Sequence, residues 1–331
     1  MKKNIRNLGV ISALLLIFTL SFLLTSCSVN NDEEKSYEIN DEFCIILIDT
    51  DCSDITFLPS TDGKCRVNCS AIEGIYHSVK VNGDKLQIEL DDDRSFFERM
   101  LSLSKNNSIT VYLPLDVYTS VIIDNDTGDV KLHSDFVFDH INIDADTGDV
   151  VCNSSAAYYI NIESDTGNIV LNDNSAAEYV NLKTDTGSIL VKSGNYNDFY
   201  ATTETGDIVV SYTTCKNEFK TLVDTGDVDL SNITCGSFIS VGDTGELTLS
   251  SVVAEEMITI KRETGGVRFN KCDAAEIEIS TDTGNVTGSL LSNKMFTVNT
   301  DTGRVDLPES EVGGKCKIFT STGDIKITVE K

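Results

Sequence analysis

The chain is short of positive charge, of histidine and of any apolar run long enough to cross a bilayer. Lys and Arg number 26 against 53 Asp and Glu, a formal net charge of −27 over 331 residues. Neutralising phosphates takes a basic face, so nucleic acid is excluded as a partner. Adhesion to an anionic membrane by charge alone is excluded for the same reason. There is no Trp, and the three His (His77, His133 and His140) are too sparse for a cofactor site. His133 and His140 lie near Asp135 and Asp139 in what reads as one connecting loop, where surface histidines are a simpler reading than a metal pair. With 40% apolar and 24% charged residues the composition is that of a folded protein. The length suits two average domains or one long repeat array.

The first residues read as a targeting signal. Lys2, Lys3 and Arg6 precede an apolar run of 15 residues, Val10 to Leu24, short of the roughly 20 needed for a spanning helix. The run ends in Leu24-Thr25-Ser26-Cys27, which looks like a bacterial lipobox: small residues before a Cys that is acylated and becomes the mature N-terminus. An ordinary secretory signal or a short anchor fits less of this pattern. Residues 1–26 are therefore expected to be removed, Cys27 to be lipidated, and 27–37 to form a tether. Removal takes away three positive charges and no negative ones, which carries the net charge from −27 to −30. The expected location is the extracytoplasmic face of the cell membrane.

Internal repeats dominate the chain from about residue 116 onward. A tripeptide ending in Thr-Gly places glycine at Gly128, Gly148, Gly167, Gly187, Gly206, Gly226, Gly245, Gly265, Gly284, Gly303 and Gly323, always 19 or 20 residues apart. Eight copies are Asp-Thr-Gly, two are Glu-Thr-Gly and the last is Ser-Thr-Gly. Two residues after each glycine stands an aliphatic residue, from Val130 to Ile325. Five and seven residues before it come pairs such as Ile141/Ile143 and Ile258/Ile260. Period 2 is strand spacing, so each repeat is strand, corner, strand and connection. Such a unit cannot bury a core alone, whereas stacked units can. A run of hairpins has the same period but would vary at its tips, and here the corner is constant in length.

The expected fold is all-β: a parallel β-solenoid of about eleven 19–20-residue turns over residues 116–331, behind an N-terminal β-rich cap at 38–115. At about 4.8 Å per turn the rod is roughly 50 Å long. Within the cap, Asp51-Cys52-Ser53 followed by Asp54–Phe57 reads as a decayed corner and its strand. Val79–Val81, Asn82-Gly83-Asp84 and Leu86–Leu90 read as a hairpin. Arg94–Ser104 fits a short amphipathic helix or a loop, and Ser108–Leu113 is a strand closed by Pro114. The last strand is expected at Ile325–Val329, as an open edge blunted by Lys326, Glu330 and Lys331.

The lipobox, the β-rich opening, the strand Val111-Tyr112-Leu113-Pro114 and the repeated Thr-Gly-Asp-Val units together resemble the bacterial putative adhesin family of β-strand repeat lipoproteins. The resemblance covers about residues 40–331 and implies a solenoid-like fold at the cell envelope. It brings no catalytic residues. It also implies an alternative role, an accessory lipoprotein of an envelope-stress or signalling system that binds a membrane protein in cis.

Asp-Thr-Gly also occurs in aspartic proteases, which need two such carboxylates sharing one proton; eight copies at a fixed period are a structural repeat instead. By alternation the acid two residues before glycine points outward, giving a ridge of Asp126, Asp146, Asp165, Asp185, Glu204, Asp224, Asp243, Glu263, Asp282 and Asp301. A second row stands one residue after the glycines: Asp129, Asp149, Asp207, Asp227, Glu246 and Asp324. Neighbours about 4.8 Å apart repel by about 0.9 kcal/mol even in bulk water, so Ca²⁺ is a candidate counter-ion. Turn chemistry explains the motif better: Asp accepts from backbone two residues on, Thr stacks in a ladder, and Gly supplies positive φ. At most weak, non-selective cation binding is expected, with no cofactor and no metal site proper.

Nine Cys remain after Cys27. Cys152 and Cys316 fall on core positions, Cys215 and Cys235 should stack on neighbouring turns, and Cys65 and Cys69 share a strand face too far apart to bond each other. No spacing resembles a zinc site, and a mostly reduced set is expected. Uniform turns without long insertions leave no place for a polysaccharide-cleaving site. The sequence thus points to a non-catalytic, lipid-anchored surface scaffold or binding module with a protein or glycan ligand, and to self-assembly through the C-terminal edge as a further course.

Overall fold

The computed structural model describes residues 33–71, 75–92, 107–172 and 175–330. Residues 1–32, which include Cys27 and the apolar run, and the segment Arg94–Ser104 lie outside them. The rest is strand, turn and loop. Among the described residues no helix is long and apolar enough to cross a membrane.

The opening strands are β1 (Glu33–Ile39), β2 (Ile45–Thr50), β3 (Ser53–Pro59), β4 (Cys65–Ala71), β5 (Ile75–Asn82), β6 (Lys85–Asp92) and β7 (Asn107–Leu113). The repeats then give long strands before each corner and short ones after it. These are β8 (Tyr118–Thr127), β9 (Val130–Leu132), β10 (Val137–Thr147), β11 (Val150–Cys152), β12 (Ser155–Thr166) and β13 (Ile169–Leu171). They continue as β14 (Ser175–Thr186), β15 (Ile189–Val191) and β16 (Gly194–Thr205). In the middle of the rod the strands merge into β17 (Ile208–Thr225), β18 (Val228–Thr244) and β19 (Leu247–Thr264). The remainder is β20 (Val267–Cys272), β21 (Glu276–Thr283), β22 (Val286–Leu290), β23 (Lys294–Thr302), β24 (Val305–Asp306), β25 (Gly314–Thr322) and β26 (Ile325–Val329).

Every pairing between turns of the rod is parallel, and the register is kept around each corner, so the fold is a parallel β-solenoid. Phe199 lies beside Phe219 and Phe219 beside Phe238; the first pair of buried rings stacks at 4.6 Å between centroids and the second meets tilted at 5.9 Å. The one-residue variation in period is absorbed upstream of that stack, where the register shifts between Cys215 and Glu218 and between Cys235 and Ser237. A second corner lies six residues after glycine in the middle turns, at Tyr212, Asn232, Ser251 and Lys271, all with φ between 52° and 56°. A middle turn therefore has three short sides, each lined by buried alternate residues.

The corner glycines touch one another down the rod. A Cβ on Gly226 would meet the carbonyl oxygen of Gly206 at 2.0 Å, and the same contact recurs at 1.9–2.3 Å from Gly128 to Gly323. Close approach, as much as the φ of +151° at Gly226, demands glycine here. Ser53 holds the equivalent place in the first turn, where its neighbour on the far side is Asn107 and no stacked glycine.

Both ends depart from chain order. The first turn, β2 and β3, sits directly beneath the repeats, against β8 and β9. Strands β6 and β7, later in the chain, cover it from outside. The β5–β6 hairpin and antiparallel β1 and β4 complete that end. At the other end β25 and β26 insert between β21/β22 and β23/β24. The expectation that Ile325–Val329 is the open edge is thus corrected in part: β24 covers β26 at Ile325 and Lys326, Ile327–Val329 pair with β22 alone, and β23 with β24 is the outermost layer. Local patterning could not show this, because Phe296/Val298 and Cys316/Ile318 are equally good inward pairs. Part of the segment expected to be a tether is strand: β1 starts at Glu33, and Tyr37 and Ile39 pack against the core.

Candidate functional site

The outward rows are the surface a partner would meet, and they differ in chemistry. Asp126, Asp146, Asp165, Asp224 and Asp243 are exposed, and Asp185 is half-buried. Their row runs along the rod one acid per turn. Burial, reinforced by Asp51, Asp146 and Asp124, holds the Asp126 carboxyl above the ordinary carboxylate value. Asp49 and Asp144 are raised in the same way, first by burial and then by Asp124 and other nearby acids. Lys183 offsets part of this charge, 3.2 Å from Asp185. Among the described residues no three His, Cys, Asp or Glu side chains converge in a metal-binding arrangement.

The row after the glycines does something different. The Asp149 N–H donates to Asp129 Oδ1 at 3.1 Å, Asn168 N–H to Asp149 at 2.8 Å and Ser188 N–H to Asn168 at 2.9 Å. The chain continues through Asp207, Asp227 and Glu246 at 2.8–3.3 Å. It starts below the repeats, where the Asp129 N–H donates to Asp54. It resumes where the Asp324 N–H donates to Asn285 and the Arg304 N–H to Asp324. These acids are acceptors for the next turn's backbone. Asn and Ser serve equally well, which is why the row is not uniformly acidic. The backbone N–H two residues after the motif Asp, that of the corner glycine, does not turn back to that Asp: it donates to the Thr carbonyl of the next turn, as Gly128 does to Thr147 and Gly226 to Thr244, each at 2.9 Å. The Thr of the motif is exposed, and no ladder of its hydroxyls forms. Hydroxyls three residues before glycine, on Thr184, Thr203, Thr281, Thr300 and Thr320, instead donate to corner carbonyls at 3.0–3.3 Å.

A third row, on the face before the corner, is amide and aromatic. Asn181 donates to Asn161 at 2.8 Å and Asn161 to Asn142 at 2.9 Å. Beside them His140 stacks at 4.5 Å on Tyr159 and 5.3 Å from Tyr158, and Tyr179 packs 5.3 Å from Tyr200. His140 thus belongs to strand β10, not to a loop shared with His133. His133 lies 3.6 Å from Asp135. His77 is buried on β5, where burial holds its pKa below the usual value.

No disulfide joins any of the nine described cysteines. Cys215 and Cys235 do stack in register. Burial pushes the thiols of Cys65, Cys69, Cys152, Cys215, Cys235 and Cys316 up to about 12, which makes them poor nucleophiles.

One feature escaped sequence reasoning. Arg262 is 3% exposed, inside the solenoid, with its pKa lowered by burial to about 10. Its Nη2 donates to Ser240 at 3.0 Å, while Nε and Nη1 have no hydrogen-bond partner. Gly242, one turn earlier, makes the room: a Cβ there would lie within 2 Å of Nη1. The signal was present as an Arg at an inward position opposite a Gly.

The class this geometry defines is a β-solenoid whose repeated turns present rows of like groups. Residues 45–238, more than half the chain, match the Toastrack DUF4097 family, and the chain belongs to that family. Among solved structures, a putative adhesin from Parabacteroides merdae aligns with a TM-score of 0.51 at 9% identity, over 78% of this chain and 97% of that one. A putative adhesin from Bacteroides fragilis aligns with a TM-score of 0.38 at 13% identity, over 89% and 97%. A protein named as a putative lipid binding protein from Parabacteroides distasonis aligns with 0.44 at 11% identity, over 90% and 98%. At such identities the Parabacteroides merdae likeness speaks to fold alone. No curated protein matches the chain.

Proposed function

We propose that this chain is a non-catalytic binding scaffold of the cell envelope, held at the extracytoplasmic face of the membrane by lipid on Cys27. The observation that carries the reading is the in-register stacking of outward positions, which repeats the same exposed group once per turn along a rod roughly 50 Å long. Such a surface suits an extended or repetitive partner, a protein or a glycan, better than a small molecule. The motif acids support the absence of catalysis: they lie in an open row, with no carboxylate pair enclosed to share a proton. Cation binding along the ridge is weak and non-selective in this reading, and a melting temperature that climbed steeply with micromolar Ca²⁺ would overturn that part.

The test is in-cell crosslinking of the native protein, followed by identification of what is captured. Recovery of glycan or extracellular matrix supports the scaffold. Recovery of a single integral membrane or sensor protein would replace it with the accessory, cis-acting role. Fatty-acid labelling that survives Cys27→Ala would remove the proposed anchor.

A further inference from the structure

The out-of-order end leaves β23 and β24 as the outermost layer of the C-terminal end, and among the described residues nothing pairs with their outer edge. The layer is also poorly covered. Phe296 and Val298 point toward the core but are only partly buried, whereas their equivalents one layer in, Cys316 and Ile318, are 1% and 0% exposed. Met295 and Val305 stand 43% and 48% exposed beside them. An unpaired edge with a half-open core behind it is the usual template for strand addition.

Charge singles out this end further. Residues 291–331 hold six Lys or Arg and six Asp or Glu, a net charge of zero in a chain of −27. Residues 33–92, at the other end, hold five and fourteen, a net charge of −9. The sides of the rod carry the acid ridge. Two copies of so acidic a protein meet least repulsion at their C-terminal ends. An inward-pointing charge often protects an edge strand, and Lys294 is such a residue. Here it is spent internally: its ammonium is 4% exposed, 2.5 Å from Asp273 and 2.7 Å from Ser292 Oγ.

We propose that the C-terminal end of the rod is a docking surface for the same end of a second copy, with β23 pairing antiparallel to its equivalent about a two-fold axis. The pairing satisfies the outer N–H and C=O groups of both strands. It also brings the half-covered Phe296 and Val298 of one copy against those of the other, so that two cores continue into one. A two-fold contact closes on itself and stops at a dimer. If the N-terminus is tethered, which rests on the function proposed above, tip-to-tip pairing joins rods that project from two facing surfaces.

Sedimentation velocity of the full chain in detergent tests the pairing. The expected result is a dimer that fills as concentration rises from about 1 to about 100 μM, and more readily at about 0.5 M than at about 0.05 M salt, since screening relieves repulsion between the bodies. Met295→Glu and Val305→Asp, both at exposed positions, each add acid to the neutral end and are expected to weaken dimerisation by roughly tenfold or more, about 1.4 kcal/mol. Their circular-dichroism melts should stay unchanged. A monomer at about 100 μM, a dimer indifferent to both variants, or open filaments would each overturn the proposal. Vesicles bearing the lipidated chain separate the two ideas: a dimer in detergent without vesicle clustering upholds end pairing and refutes the tethered, bridging geometry.

Discussion

Replacing Gly226 by Ala tests the account of the corner at its most specific point. The new Cβ would lie 2.0 Å from the Gly206 carbonyl oxygen and 2.6 Å from its carbon. Relief requires the turns to part by more than 1 Å against a strand spacing of about 4.8 Å. That separation strains three bonds between the two turns: Gly206 N–H to Thr225 O at 2.9 Å, Ile208 N–H to Asp227 O at 3.0 Å, and Asp227 N–H to Asp207 at 2.9 Å. Each is worth about 1 kcal/mol net, and the φ of +151° adds about 1–3 kcal/mol for a residue with a side chain. Allowing for partial relaxation, the loss is about 3–5 kcal/mol. In a protein of this size each kcal/mol is about 2 °C, so the melting temperature should fall by roughly 6–10 °C. Far-UV circular dichroism during heating reads the shift, with Asp224→Asn in the same corner as the control. Because repeat arrays are coupled through nearest neighbours, hydrogen exchange should accelerate first in β16, β17 and β18. A fall of less than about 1 °C, or no more than in the control, would refute the stacked-glycine argument.

Three more outcomes are expected from the same geometry. Asp227→Ala removes the acceptor of the Glu246 N–H, 2.8 Å away, and should cost about 1–2 kcal/mol in urea denaturation, whereas Asp227→Asn keeps an acceptor and should cost less than about 0.5 kcal/mol. The carboxyls of Asp49, Asp126 and Asp144 are raised above their ordinary value of 3.8 in the folded chain, so the folded state binds more protons just above that pH. Stability should therefore rise as pH falls from neutrality toward that window and fall as it is crossed upward. At low salt the melting temperature should be higher near pH 5 than near pH 7.5, with Asp126→Asn flattening the profile; a flat wild-type profile contradicts the charge account. Arg262→Met should stabilise the rod by about 1–3 kcal/mol, because a buried guanidinium that among the described residues has one hydrogen bond and no ion-paired carboxylate, with Asp227 acting on it only through space, is a net cost. A destabilised Arg262→Met would show that the Arg262–Ser240 bond outweighs desolvation.

The repeat was legible because two independent constraints fall on the same residues. Alternation fixes which side chains enter the core, and stacking fixes where a side chain is forbidden, so aliphatic residues and glycines recur at one period. The inter-turn role of Asp129, Asp149 and Asp227 was not legible, since an acceptor one residue after glycine reads equally as an acid on a ridge. Asn168 and Ser188 in the same row were the clue, for they share hydrogen-bonding capacity and not charge. Arg262 was not legible because an Arg on an inward position reads as a break in the apolar pattern unless it is set against Gly242, the glycine one turn away that makes room for it.

The order of the end turns lay beyond the sequence for a deeper reason. In a solenoid the pairing energy of one turn on another depends on corner and core residues that are nearly the same in every turn. Gly284 receives Gly323 as readily as it would receive Gly303, and Ile277 and Ile279 accept Cys316 and Ile318 in place of Phe296 and Val298. What separates the alternatives is coverage. In chain order, the turn ending near Lys331 would lie outermost and keep neighbours on one side only. Tucked inward, β25 is paired on both flanks and β26 is so at Ile325 and Lys326, and the exposed layer is one held by the chain on both sides. The first turn is treated alike, with β2 and β3 shielded by β6 and β7. The arrangement thus leaves as the outermost layer one that the chain itself holds in place from both sides.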